Sequence, residues 1–175
     1  MADFRIVHRP AVSSAFSSRN GAISLQALPE GRVIHILGRP YGDDLSAVLG
    51  ELAGSADHGV RAAGPGQWFI IGDQPMAFAD MQALLAKLAP HAFGVDQSHG
   101  RVRIGVSGPA VADVLAKGTA VDIETLAVGQ SAMTLIGHIS VHMTRSGAET
   151  FELMVLRGFA ESLWDDLVRM SAEYA

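Results

Sequence analysis

Asp96, Ser98 and His99 bring a carboxylate, a hydroxyl and an imidazole, the three groups of a serine hydrolase, close together in the chain. That chemistry needs the imidazole between the hydroxyl and the carboxylate. In an extended segment Asp96 and Ser98 project to one face and His99 to the other, so the spacing predicts a turn in which Asp96 or Ser98 bonds nearby backbone. His138 and His142 would form a metal pair if they lay on a helix. The run Ile136-Gly137-His138-Ile139-Ser140-Val141-His142-Met143-Thr144 instead alternates apolar and polar residues, which predicts a strand with His138, Ser140, His142 and Thr144 on one polar face. Histidines four apart on a strand are ~13 Å apart, too far to share one ion. That face is expected to meet solvent or a partner.

Arg101 and Arg103 also share a strand face, where arginine is either solvated or docked on an acidic partner. Arg101, Arg103, His138 and His142 are therefore the candidate partner-facing residues. No catalytic, cofactor-binding or metal-ligating set emerges beside them. The carboxylate pairs Asp43-Asp44, Asp122-Glu124 and Asp165-Asp166 read as a helix cap, the start of a short turn and the wet side of a helix. Gly64-Pro65-Gly66 is followed by Phe69 where a dinucleotide fingerprint needs a third glycine, and Gly118 follows Lys117, so the phosphate cradle of a P-loop is missing. Trp68 and Trp164 lie in apolar stretches and read as core anchors.

The elements that position these residues alternate between short strands and amphipathic helices. Ile23 to Leu28 and Val33 to Leu37 read as strands separated by Pro29-Glu30-Gly31, predicting a hairpin. Asp43 or Asp44 can cap a helix bearing Leu45, Val48, Leu49 and Leu52 and stopped by Gly54. Gly64-Pro65-Gly66 turns into the buried strand Trp68 to Ile71, and a second helix carries Phe78, Met81, Leu84, Leu85 and Leu88 up to Pro90. A strand pair begins at Val95, with Arg101 to Val106 half-buried, and Gly108-Pro109 opens a helix that buries Val111, Val114 and Leu115 and stops at Gly118. Ala132 to Ile136, His138 to Thr144 and Thr150 to Leu156 read as strands, and a last helix buries Phe159, Leu163, Leu167 and Met170. This grouping predicts an α+β fold of two ferredoxin-like lobes with mainly antiparallel sheet. One domain over 1–175 is expected, divisible into lobes 1–91 and 92–175 that are either separate or share a sheet.

Apolar residues form 49% of the 175, and charged residues only 18% against a usual ~25%. A charge-poor surface suits a subunit partly covered by another chain. The net charge of −5 would repel a phosphate backbone, which excludes nucleic acid as the expected partner. No apolar run reaches the ~18 residues of a membrane span, and the N-terminal sequence with Asp3 does not read as a secretory signal. With no cysteine there are no thiolate sites. A cytoplasmic location is expected.

The segment Val95-Asp96-Gln97-Ser98-His99-Gly100-Arg101-Val102-Arg103-Ile104, continued by Ser107-Gly108-Pro109-Ala110, Val114 to Gly118 and Val121-Asp122, resembles the gamma subunit of heterotetrameric sarcosine oxidase. Phe151 to Val155, Arg157, Phe159-Ala160 and Leu163-Trp164 resemble it too, as do Arg9-Pro10, Ser13-Ser14-Ala15 and Gly66 to Gly72. A more distant likeness, through the Asp96 strand, the Gly108-Pro109-Ala110 helix and Val128-Gly129, is to the aminomethyltransferase fold, the folate-binding domain of the glycine cleavage T protein. That family carries a glycine pair followed by paired aspartates where this chain has Gly137-His138-Ile139, so Asp96 inherits no catalytic role.

The gamma resemblance implies membership in a complex that demethylates sarcosine oxidatively to glycine, yielding hydrogen peroxide and passing the one-carbon unit to tetrahydrofolate or releasing it as formaldehyde. It implies a cofactor-free, non-catalytic chain whose partners are the alpha, beta and delta subunits, mainly alpha, with FAD, FMN, NAD, tetrahydrofolate and zinc on those subunits. A stand-alone folate-binding or one-carbon-transfer protein is the alternative.

Overall fold

The structure, a computed structural model, describes residues 7, 9–12, 15–40, 42, 44–53 and 59–175. Asp43, Gly54 and the Ser13-Ser14 pair lie outside these residues, and the side chain of Leu52 is likewise not described. Among the described residues the chain runs β1 (Ala15–Ser17), β2 (Ser24–Ala27), β3 (Arg32–Gly38), α1 (Ser46–Ala53), β4 (Val60–Gly64), β5 (Gln67–Gly72), α2 (Phe78–Leu88) and β6 (Ala92–Asp96). It continues with β7 (Arg101–Ser107), α3 (Val111–Ala116), β8 (Ser131–Ile136), β9 (Ile139–Gly147), β10 (Thr150–Leu156) and α4 (Ala160–Met170).

The strands form two sheets, ordered β1-β2-β7-β10-β9-β8 and β4-β5-β3-β6, and every pairing is antiparallel. The fold is α+β, as expected. In the smaller sheet β3-α1-β4-β5-α2-β6 follows the ferredoxin-like order. In the larger, β8, β9 and β10 form a meander beside β7.

Strand alternation explains how these sheets stack. On the larger sheet Val102, Ile104, Val106, Val141, Met143, Phe151, Leu153 and Val155 face α3 and α4 in one apolar cluster with Val114, Leu115, Leu163, Trp164 and Leu167. On the smaller sheet Ile34, Ile36, Trp68 and Ile70 meet Leu49 of α1 and Met81, Leu84 and Leu88 of α2. The opposite faces of the sheets meet each other, with Val33, Phe69, Ile71 and Met154 packed between them. The result is four layers: helices, sheet, sheet, helices.

The predicted hairpin of Ile23–Leu28 with Val33–Leu37 does not form, because Pro29 to Gly31 carries the chain from one sheet to the other. β2 pairs with β1 and β7, whereas β3 pairs with β5 and β6. Gly31 makes that crossing possible: a Cβ there would lie 2.0 Å from the Gly72 carbonyl oxygen. Likewise β6 pairs with β3 and not with β7, so Gln97 to Gly100 is a second crossing. Neither sheet is therefore confined to residues 1–91 or 92–175. β4, unread in the sequence, makes a hairpin with β5 through Gly64-Pro65-Gly66, where Gly66 takes φ +65°. Val48, Phe78 and Phe159 are expected in the core, but each is exposed; Phe78 is the first residue of α2 and Phe159 precedes α4.

Candidate functional site

The contact face between the sheets is where polar side chains converge. Glu152 of β10 sits opposite Arg61 of β4, and all three of Glu152, Arg61 and Arg103 are buried. Arg61 Nη2 donates to Glu152 Oε2 at 3.0 Å and its Nη1 lies 2.8 Å from Oε1, with a further donation at 3.3 Å to Thr144 Oγ1. Arg103 Nη1 is 3.6 Å from the same carboxylate, while its Nη2 donates to Asp73 and to the Pro29 carbonyl, the latter at 3.0 Å. One carboxylate thus lies between two guanidiniums in a space water does not reach, an arrangement that retains its charges only because each is paired.

His142 continues this cluster. Its Nε2 donates to the Ala62 carbonyl at 2.9 Å, which fixes the ε tautomer and leaves Nδ1 buried with no partner among the described residues. Burial, helped by the Arg61 and Arg101 charges and opposed by the Ala62 bond and Glu152, lowers its pKa to about 4. The ring meets Phe69 edge-on at 5.1 Å, and Phe69 also lies 4.7 Å from His35 and 4.8 Å below the Arg101 guanidinium. His35, bonded to Gln67 at 3.1 Å, is held below the usual histidine range by burial and, less, by Arg101. Such an array orients and neutralises charge inside the fold.

The candidate partner-facing residues therefore separate. His142, with no exposed surface, and Arg103, 3% exposed, face the other sheet of the same chain. Of the face expected to meet solvent or a partner, His142 and Thr144 are instead covered by β4 and β5, through Ala62, Arg61 and Phe69. His138 lies in the turn between β8 and β9 and is exposed, outside the strand predicted for it. Arg101 is half-buried, with Nε donating to Gln97 Oε1 at 2.6 Å.

Asp96 and Ser98 form the predicted turn. Asp96 Oδ1 accepts from the Ser98 amide at 2.9 Å and from its hydroxyl at 2.6 Å, and Ser98 Oγ accepts from the Val33 amide at 3.0 Å. This turn ties the second sheet crossing to β3, and His99 is exposed beside it. Asp122 Oδ1 accepts from the Glu124 and Thr125 amides, as a turn opener should. Asp166 pairs with Arg169 at 3.1 Å on the wet side of α4, and both tryptophans are core residues at 8% exposure. A surface hollow of about 320 Å³ lies between Lys117, His138, Asp166 and Arg169. Its cations are already engaged, Lys117 with the Met170 carbonyl and Glu173, Arg169 with Asp166.

Arg61 and Glu152 escaped the reading of the sequence. The available signal was register: Phe151, Leu153 and Val155 face the helices, so Glu152 must lie on a face that is either wet or paired. Among the described residues no group of three or more His, Asp or Glu could hold a metal ion, and no helix is long and apolar enough to cross a membrane.

Comparison with curated protein sequences gives no match. Among solved structures the chain is similar to a chain of the heterotetrameric sarcosine oxidase from Corynebacterium sp. U-96 in complex with pyrrole 2-carboxylate. The TM-score is 0.76 at 20% identity, covering 87% of this chain and 85% of that one. It is also similar to the glycine cleavage system aminomethyltransferase T from Bartonella henselae, with TM-score 0.60 and 20% identity over 82% of this chain and 45% of that one. These likenesses establish a shared fold, and this chain spans about half the length of the aminomethyltransferase. Residues 34–173 match the profile of the sarcosine oxidase, gamma subunit family. The chain belongs to the sarcosine oxidase gamma subunit family.

Proposed function

We propose that this chain is the non-catalytic, cofactor-free gamma subunit of a cytoplasmic heterotetrameric sarcosine oxidase, assembled with alpha, beta and delta subunits and seated mainly on alpha. The complex would demethylate sarcosine oxidatively to glycine, releasing hydrogen peroxide and passing the one-carbon unit to tetrahydrofolate. FAD, FMN, NAD, tetrahydrofolate and zinc would sit on the partner subunits. The observation that carries this reading is the family match across residues 34–173. The fates of the reactive side chains support it: Asp96 and Ser98 hold a turn, and Arg61, Arg103, Glu152 and His142 hold two sheets together.

The test is co-expression with alpha, beta and delta chains, followed by size exclusion and a sarcosine-dependent peroxide assay. The chain is expected to elute with the flavin-bearing complex and to raise its yield or activity. Elution alone, with no effect on the complex, overturns the proposal. The likeness to aminomethyltransferase T gives a second reading, a free-standing folate protein. Calorimetry with tetrahydrofolate on the chain by itself separates the two, since a working site binds at micromolar concentration, about −8 kcal/mol.

A further inference from the structure

Sheet edges expose unpaired backbone, and folded chains normally shorten or cover them. Two of the four edges here are managed: β1 has three residues, and β4 lies against β8 of the other sheet. Among the described residues the backbone edge of β8 is tied only past its end, where the Gly137 amide donates to the Gly118 carbonyl at 2.8 Å, and its Met133 and Leu135 stay exposed. β6 has no partner along its edge among the described residues.

The bonding phase of β6 follows from its ends. The Arg39 amide donates to the His91 carbonyl and the Gln97 amide to the Val33 carbonyl. In an antiparallel ladder every second residue bonds inward, so Phe93 and Val95 complete the ladder to β3. Ala92, Gly94 and Asp96 then direct their amides and carbonyls outward, where no described residue meets them. α2 packs so closely on one face that a Cβ at Gly94 would lie 2.2 Å from Leu85 Cδ2. On the opposite face the larger sheet stops short, leaving Phe93 56% and Val95 47% exposed.

Two cations bracket this strip. The Arg39 guanidinium stacks 4.8 Å over Phe93 and donates to the carbonyls of Ala89 and Pro90, and Arg101 bonds Gln97 just past the far end. Neither has an acidic partner among the described residues, although the chain as a whole carries −5. Asp96, the last residue of β6, accepts from Ser98.

We infer that β6 is the docking edge for the large partner subunit: an extended segment of that subunit adds to the sheet beside Ala92–Asp96, covers Phe93 and Val95, and brings acidic side chains to Arg39 and Arg101. The inference rests on the proposed gamma-subunit role. Its test uses the full chain co-expressed with alpha, beta and delta, scoring the ratio of this chain to alpha in the size-exclusion peak and the apparent affinity by titration. Phe93→Glu and Val95→Glu, at exposed positions where circular dichroism melting should be unchanged, are expected to weaken assembly about 30-fold, the scale of an interface hot spot. Arg39→Gln is expected to weaken it less and to reduce its sensitivity to salt. Met133→Glu and Leu135→Glu, on exposed positions of β8, should leave assembly intact. Wild-type assembly together with unimpaired β6 variants overturns the inference alone, as does loss of assembly in the β8 variants only. It is overturned too if Val95→Glu abolishes a dimer of this chain while binding to alpha persists. A wild-type chain that joins no complex overturns the gamma-subunit role, and this inference with it.

Discussion

Replacing Glu152 with alanine should destabilise the fold far more than removing any surface carboxylate. The carboxylate is 3% exposed and lies between Arg61 at 5% and Arg103 at 3%. Without it Arg103 keeps Asp73 and the Pro29 carbonyl, but among the described residues Arg61 keeps only the Thr144 hydroxyl at 3.3 Å. One guanidinium is then left nearly uncompensated in a dry space, which costs about 3–5 kcal/mol, a large part of the ~5–15 kcal/mol a domain has. With a urea slope of ~2 kcal/mol/M the unfolding midpoint should fall by ~1.5–2.5 M at unchanged slope. Asp166→Ala, which breaks the pair with solvent-exposed Arg169, should cost ~0.3–0.5 kcal/mol by comparison. Replacing Arg61, Arg103 and Glu152 together by Met, Met and Leu should recover most of the loss, because no charge is then stranded. Urea unfolding followed by circular dichroism measures all three. A Glu152→Ala cost below ~1 kcal/mol would mean the charges reach water after all, and the account of the sheet interface would fail.

Three further outcomes follow from the same contacts. His142 titrates at about 4 when folded against 6.5 as a free side chain, so the unfolded chain binds more protons between those values. Stability should therefore be full above pH 6.5 and decline by on the order of 3 kcal/mol as pH falls towards 4, and His142→Gln should flatten that slope in denaturation curves taken across the range. Ser98→Ala should lower stability by ~1 kcal/mol through the lost Val33 and Asp96 bonds and leave sarcosine turnover by the assembled complex unchanged; a large loss of kcat at full assembly would return Asp96 and Ser98 to the chemistry. Gly31→Ala should cost more than ~3 kcal/mol, since its Cβ would strike the Gly72 and Asp73 backbone, and a melting temperature within a few degrees of wild type would refute the tight crossing.

Much of the fold was legible because helix and strand periods survive in the apolar residues. The stripes Val111, Val114, Leu115 and Leu163, Leu167 are buried where spacing put them, and Phe151, Leu153 and Val155 lie on one face. The turn at Asp96–Ser98 was legible because a short side-chain oxygen bonding two residues on is a local event. What was not legible is non-local. Pro29-Glu30-Gly31 reads like any turn, and only the identity of the neighbouring strands shows that it joins two sheets. The same ignorance hid the fate of the His142 face. Alternation says that His142 and Thr144 share a side, but solvent and a second sheet demand the same polarity when Arg61 and Glu152 supply the matching charges.

The placement of polarity within the four layers bears on how the chain presents itself to a partner. Both helix-facing cores are apolar. The inter-sheet contact is instead pinned by directional bonds: Arg61 to Glu152, Arg103 to Asp73 and Pro29, His142 to Ala62. Every one of these joins β4, the crossing at Pro29 or the β5–α2 connection to the larger sheet; none involves β6. The bonds thus set a fixed lateral offset that seats β4 and β5 over β8, β9 and β10 and leaves β6 overhanging. An apolar interface of equal strength would have no reason to stop the larger sheet before it covered Phe93 and Val95. The buried charges and the uncovered edge are on this argument one device, in which the interior of the subunit determines which strand it offers outside.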